Sequence, residues 1–130
     1  MAAHVGDYMT ENPHSIAPFE TLKVAHELMQ KHKIRHLPVL SKRRVVGLVS
    51  ERDLSLVHLY PDMDLEHSKV EDLMLQDIYT VHPNEELKEV VHEMGQRKLG
   101  SAVVVDAGGQ LKGIFTAVDA LKLLHKIYTF

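Results

Sequence analysis

Displaced by 65 residues, the sequence aligns with itself. Val5, Asp7 and Met9 fall on Val70, Asp72 and Met74; Pro18, Glu20, Leu22 and Lys23 fall on Pro83, Glu85, Leu87 and Lys88. Met29, Lys33 and Val39 fall on Met94, Lys98 and Val104. One extra residue in the second copy then makes the displacement 66, and Gly47 meets Gly113 and Asp53 meets Asp119. Similar residues fill the gaps: Ser15 with Thr80, Ile16 with Val81, Ile34 with Leu99, Ser50 with Thr116. A copy of about 60 residues holds only a marginal core by itself. The expectation is one domain built of two motifs, at about 5–60 and 70–130, joined by a polar linker at about 61–69.

Each motif reads as strand, helix, strand, strand, helix, which places the chain in the α/β class. Leu87, Val90, Val91 and Met94 stand at the spacing of one helix face, and Leu22, Ala25, His26 and Met29 hold the same slots in the first copy. Pro83 and Asn84 read as the start signal of the second of these helices. Two β-rich runs follow in each copy, Leu37 to Leu40 with Val45 to Val49, and Ala102 to Val105 with Leu111 to Phe115. Ser41 to Arg44 and Asp106 to Gly109 are their turns. Closing helices are expected at about Glu51 to Tyr60, where Pro61 stops the first, and Ala117 to Tyr128. The last helix carries Leu121, Leu123, Leu124, Ile127 and Tyr128, with Phe130 just beyond. That surplus of apolar surface fits either a homodimer contact or a helix docked on its own core.

The repeated segment Gly47-Leu48-Val49-Ser50-Glu51-Arg52-Asp53 and its counterpart Gly113-Ile114-Phe115-Thr116-Ala117-Val118-Asp119 end a strand and open a helix. A hydroxyl residue followed three positions later by an acid is a capping arrangement, which satisfies free N–H groups at a helix start. The same turn suits a ligand. Free N–H groups and the positive end of the helix dipole favour a phosphate, and a carboxylate there can accept both hydroxyls of a ribose. The two readings coexist if the carboxylate turns outward.

Together with the openings Val5-Gly6-Asp7-Tyr8-Met9-Thr10 and Val70-Glu71-Asp72-Leu73-Met74, and with Ile34-Arg35-His36-Leu37-Pro38-Val39, these segments make the chain resemble the CBS family, named for cystathionine beta-synthase, over nearly its whole length. The resemblance implies a stand-alone pair of motifs related by a pseudo-twofold axis, with two clefts between them. It implies that the clefts take AMP, ADP, ATP, S-adenosylmethionine or a related adenosyl ligand, with Ser50 and Asp53, and Thr116 and Asp119, as phosphate and ribose contacts. Adenine is then expected against Ser15-Ile16 and Thr80-Val81, and against the backbone of His36-Leu37-Pro38 and Ser101-Ala102-Val103. The first copy adds Arg35, His36 and Arg52 where the second has Gly100, Ser101 and Val118. Arg52 can pair with a phosphate or remain a solvated surface charge. The first site is therefore expected to bind better.

Composition narrows the alternatives. No cysteine is present, so thiolate metal sites and disulfides are excluded, in keeping with a cytoplasmic protein. Net charge is -3 with histidine neutral, which offers no general basic face for nucleic acid. No apolar run reaches the ~20 residues of a membrane span, and no signal peptide is read at the start. His32 and His36 are four apart but lie across a helix end, so no metal site is expected from the ten histidines. His26 reads as a half-buried structural residue in a core-facing slot, and Met9, Met29, Met74 and Met94 as core or interface filling. No nucleophile with its base and no phosphate-binding P-loop is found. The expectation is a non-enzymatic regulatory module that needs no cofactor, binds an adenosyl nucleotide and signals to an effector protein in trans. The alternative is a structural dimerisation module without ligand.

Overall fold

The repeated helix face forms twice. In the computed structural model, which describes residues 2–129, α1 (Leu22–His32) buries Leu22, Ala25 and Met29, and α4 (Leu87–Arg97) buries Leu87, Val90 and Met94. Both helices end in a left-handed lysine, Lys33 at φ 54° and Lys98 at φ 56°, so the repeat extends to the C-cap. One member of the expected face is corrected. Val91 is 39% exposed and His26 only half-buried, because the buried stripe follows i, i+3, i+7 and leaves the i+4 slot at its edge. The start of α4 also moves. Glu86 is its N-cap, three residues beyond Pro83.

The β-rich runs form the hairpins β2 (His36–Ser41) with β3 (Arg44–Ser50) and β5 (Ser101–Val105) with β6 (Leu111–Thr116). Closing helices follow directly, α2 (Glu51–Ser55) and α5 (Ala117–Ile127). The first is shorter than expected, giving way to a 3-10 turn at Val57–Leu59. The short strands β1 (Thr10–Glu11) and β4 (Thr80–Val81) and the single-turn α3 (Val70–Leu73) complete the elements. Among the described residues no helix is long and apolar enough to cross a membrane.

The chain packs as two units whose borders differ from those of the sequence motifs. His14–Ile78 is one; the other joins the residues up to Pro13 to the chain from Tyr79 onward. In the second unit the sheet runs β1-β6-β5-β4, with β1 antiparallel to β6 (Thr10 opposite Ile114) and β4 parallel to β5 (Val81 opposite Val104). In the first, single bridges stand at the equivalent places, Leu48 to Leu75 and Ile16 to Val39. Thus the opening segment of each motif completes the body of the other. Val5 N and Gly6 N donate to Glu85 O and Pro83 O at 2.9 and 2.7 Å; Val70 N and Glu71 N donate to Glu20 O and Pro18 O at 2.8 and 3.0 Å. Leu87 N donates to Ala3 O at 2.8 Å, and Leu22 N to Ser68 O at 3.0 Å. The linker's Leu65 carbonyl accepts from Lys23 N at 2.8 Å, so that segment is built into its unit.

The apolar cores follow this division. One gathers Ile16, Leu22, Ala25, Met29, Leu37, Val39, Val49 and Val70; the other Val5, Val81, Leu87, Val90, Met94, Ala102, Val104 and Phe115. Each fully buried aliphatic side chain contributes roughly 1.5–3 kcal/mol. Helix α5 packs Ala120 and Leu123 against the second core, though none of its residues is fully buried. Leu121, Leu124, Ile127 and Tyr128 are 51–68% exposed, so docking on its own core covers only one face of this helix; Phe130 lies outside the described residues.

The two hairpin turns differ in kind. Ser41 pairs with Arg44, leaving a two-residue loop with Lys42 at φ 52° and Arg43 at φ 69°. Such loops favour Asn-Gly, and a side chain in the left-handed region costs about 1–2 kcal/mol. The second turn is longer, and Asp106 Oδ1 accepts from Gly108 N and Gln110 N, both at 2.9 Å.

Gly47 and Gly113 sit where a methionine of the exchanged segment crosses the hairpin. A Cβ on Gly113 would meet Met9 Sδ and stand 2.8 Å from Thr10 O; on Gly47 it would stand 2.6 Å from Met74 Sδ and 3.0 Å from Leu75 O. Gly113→Ala is therefore expected to cost about 1–3 kcal/mol. Thermal unfolding will show a drop of several degrees, which Met9→Ala does not relieve, because the Thr10 carbonyl remains in place.

Candidate functional site

Each hairpin delivers its hydroxyl residue to the first turn of a helix. Ser50 is the N-cap of α2 and Thr116 that of α5. Asp53 N donates to Ser50 Oγ at 3.2 Å, and Asp119 N to Thr116 Oγ1 at 3.2 Å. The carboxylates are committed to different degrees. Asp119 Oδ2 accepts from both Thr116 N (2.9 Å) and Thr116 Oγ1 (3.0 Å), which closes a full capping box. Asp53 Oδ2 accepts only from Ser50 Oγ, at 2.8 Å. In both turns the cap uses only Oδ2, which leaves Oδ1 to a ligand hydroxyl; a ligand that also takes Oδ2 displaces a side-chain hydroxyl at Asp53 but a backbone N–H as well at Asp119.

The expected residues of the first copy gather at this end of the β2–β3 hairpin. His36 lies opposite Ser50 in register, and Glu51 N donates to Arg35 O at 2.8 Å. Ile16 N donates to Pro38 O at 3.0 Å and Leu40 N to Ile16 O at 2.9 Å, which sets half-buried Ser15 beside the start of β2. Arg35 Nε and Glu51 Oε2 are 3.7 Å apart on an exposed surface, a contact worth little in water. Arg52 is exposed and has no ion-pair partner among the described residues. Burial pushes the His36 imidazole below its ordinary value; the Asp53 carboxylate opposes this and Arg35 reinforces it.

The second copy repeats the frame with fewer polar side chains. Ser101 lies opposite Thr116, Ala117 N donates to Gly100 O at 2.9 Å, and Thr80 is exposed beside Val103. Several expected contacts offer little side chain, since Ile16 and Val81 turn theirs into the cores, Pro38 is fully buried and Ser101 is 7% exposed. Reading along the chain did not pick out Glu51 as a partner for Arg35. The signal is cross-strand register, which sets residue 35 against residue 51 only once the hairpin is closed.

Among the described residues no group of three or more potential ligands converges on a point where a metal ion could sit. The closest histidine pair, His14 and His32, stacks with ring centroids 3.6 Å apart at 14° between planes.

The model of the CBS domain matches residues 5–58 and 70–126. The chain belongs to the CBS domain family. The CBS pair shares 31% identity over 108 residues with inosine-5'-monophosphate dehydrogenase of Thermoplasma acidophilum, covering 83% of this chain and 21% of that enzyme. It spans 21–46% of the length of the first curated relatives it matches. Among solved structures, one described as an acetoin utilization protein (AcuB) from Vibrio cholerae superposes with TM-score 0.88 at 30% identity, covering 98% of this chain and 93% of that one. CBSX2 of Arabidopsis thaliana, in complex with AMP, superposes with TM-score 0.86 at 28% identity, covering 97% and 99%.

The environment of His36 gives a pH dependence with a definite sign. Its folded value lies below 6.5, so at mildly acid pH the unfolded chain binds the proton more readily. Stability is therefore lost as pH falls through about 6.5, and the loss levels off below the folded value. Thermal unfolding from about pH 7.5 to 5 should show a smaller decline in His36→Ser, which installs the second copy's residue, than in the parent. An unchanged pH profile would remove His36 as the source.

Proposed function

We propose that this CBS pair is a regulatory module, not an enzyme, that binds an adenosine-containing nucleotide and passes its occupancy to a partner protein. One observation carries the reading: the Ser50–Asp53 turn offers a helix start, a hydroxyl and a carboxylate with one oxygen unbonded, beside Arg52, unpaired among the described residues. The helix start and Arg52 suit phosphate, and Asp53 suits ribose hydroxyls. The backbone of Ser15-Ile16 and His36 to Pro38 forms the adenine edge. The AMP complex of CBSX2 supports the adenosyl class. Thr80, Val81, Ser101, Thr116 and Asp119 form the weaker counterpart, whose carboxylate is held by its cap. Ligand acts by population shift, favouring the conformer that binds it better.

The reading includes a homodimer. Ala3, Leu87, Val91, Leu121, Leu124 and Ile127 line a groove of about 770 Å³ between α4 and α5. In the other unit the equivalent groove is about 510 Å³, and there Leu54, Val57, Met63 and Leu65 share the lining with His26, His58 and Asp64. The α4–α5 groove is the larger of the two and, Lys88 apart, its lining is aliphatic. A second copy suits it, since α4 carries Glu89 and Glu93 at its outer side and α5 carries Lys122 and Lys126, charges of opposite sign that a two-fold pairing can match. The groove also favours a second reading, a dimerisation module without ligand.

Thermal unfolding with AMP, ADP, ATP and S-adenosylmethionine at about 1 mM separates the two. A ligand present at ~100 times its dissociation constant stabilises by about 2.7 kcal/mol, a shift of several degrees. The expected result is such a shift, abolished by Asp53→Ala and only reduced by Asp119→Ala. No shift with any adenosyl ligand leaves the dimerisation reading. In sedimentation, Leu121→Asp with Leu124→Asp should convert the parent dimer to a monomer, and a monomeric parent would remove the dimer from the proposal.

A further inference from the structure

The first hairpin turn is strained where strain is easily avoided. Lys42 and Arg43 both hold positive φ, at 52° and 69°, in a two-residue loop between the paired Ser41 and Arg44. Asn or Gly takes those angles at little cost. The second motif uses Gly109, at φ 80°, and a carboxylate that bonds its own loop. The first motif instead has Lys42, Arg43 and Arg44, all exposed, in a chain of net charge -3. Neither Lys42 nor Arg43 has an ion-pair partner among the described residues. Nothing in the core requires cations here, since the hairpin's buried side chains, Leu37, Pro38, Val39 and Val49, lie in its strands. Backbone strain kept at an exposed cationic tip is the mark of a contact made outside the chain.

We infer that the tip formed by Lys42 and Arg43 is a docking point for an acidic segment of a partner protein. The tip lies at the end of the hairpin away from Ser50 and Asp53, about 20 Å along strands of this length, so nucleotide and partner do not compete for the same residues. Arginine's planar fork suits carboxylates, which it meets with two parallel hydrogen bonds. Two charges on a net acidic chain are too few to hold a nucleic acid at physiological salt, where affinity depends on many phosphate contacts. A membrane surface needs a larger basic cluster still. The two-residue loop fixes both Cα–Cβ directions, so the backbone entropy of the tip is already lost before contact. The inference builds on the reading of the chain as a regulatory module, because it supplies the surface through which that module meets its effector.

The test uses the full chain and a fluorescein-labelled octaglutamate peptide, read by anisotropy at about 50 mM salt. Lys42→Asn with Arg43→Gly should bind the peptide roughly tenfold more weakly while melting several degrees higher, because the turn strain is relieved. Lys42→Gln with Arg43→Gln keeps the strain and removes the charge; it should lose binding without the gain in melting temperature. Both variants should keep the parent's response to AMP. If the parent shows no such response but the peptide results hold, the nucleotide reading falls and the docking tip stands. Equal peptide affinity in the parent and both variants overturns the proposal. So does a parent that prefers an eight-residue oligothymidylate or phosphatidylserine vesicles to the peptide.

Discussion

The structure depends on a close approach of two chain segments distant in sequence. At Gly113 and Gly47 the hairpin lets the opening segment of the other motif lie against its backbone, with Met9 or Met74 over the glycine. A methyl group there would push on a carbonyl that is already hydrogen-bonded in the sheet. From that contact follow the Thr10–Ile114 and Leu48–Leu75 pairings, and from these the closed edge of each sheet. The three backbone bonds from each opening segment to the chain ahead of α1 or α4 fix the helix to the same frame. Neither unit is complete without residues from both motifs, so the pair, not the motif, is the smallest piece with a satisfied backbone.

That frame also explains the precision of the site. Ser50 and Thr116 are the last residues of strands held on both sides, and the helix begins at the next residue. The position of each hydroxyl is set by the sheet, and that of each carboxylate by its bond to the hydroxyl. Structural cap and ligand site are one object in two states of occupancy. The energetic question is how much capping a ligand must displace. Through Oδ1 that is nothing in either turn; where a ligand takes Oδ2 it displaces at Asp119 a backbone N–H, whose loss at a helix start costs about 1 kcal/mol, and at Asp53 only a side-chain hydroxyl that can turn to the ligand.

Much of this was legible in the repeat. The helix faces, both hairpins and the N-capped turns stand where the spacing put them, because helix and strand periods are local. What was not legible depends on tertiary partners. The exchange of opening segments was hidden because a repeat in register pairs equally well with its own body or the other's, and only the path of the connecting residues decides. His26 is half-buried as expected, but Val91, in the same slot of α4, is exposed at the edge of a groove, because how far around a helix burial reaches depends on what packs beside it. The strain at Lys42 and Arg43 was hidden because Ser41 to Arg44 reads as an ordinary charged turn until the Ser41–Arg44 pairing leaves only two residues to make it.

The differences between the copies are more telling than the likeness. Equivalent backbone atoms make equivalent hydrogen bonds, so the fold exerts nearly the same demand at both members of each pair. Where paired residues still differ sharply, folding alone is a poor explanation. Such places include Arg35, His36 and Arg52 against Gly100, Ser101 and Val118 around the carboxylate, His58 against Leu124 in the helix groove, and Lys42-Arg43 against the self-bonded loop of Asp106. Each copy thus acts as a control for the other.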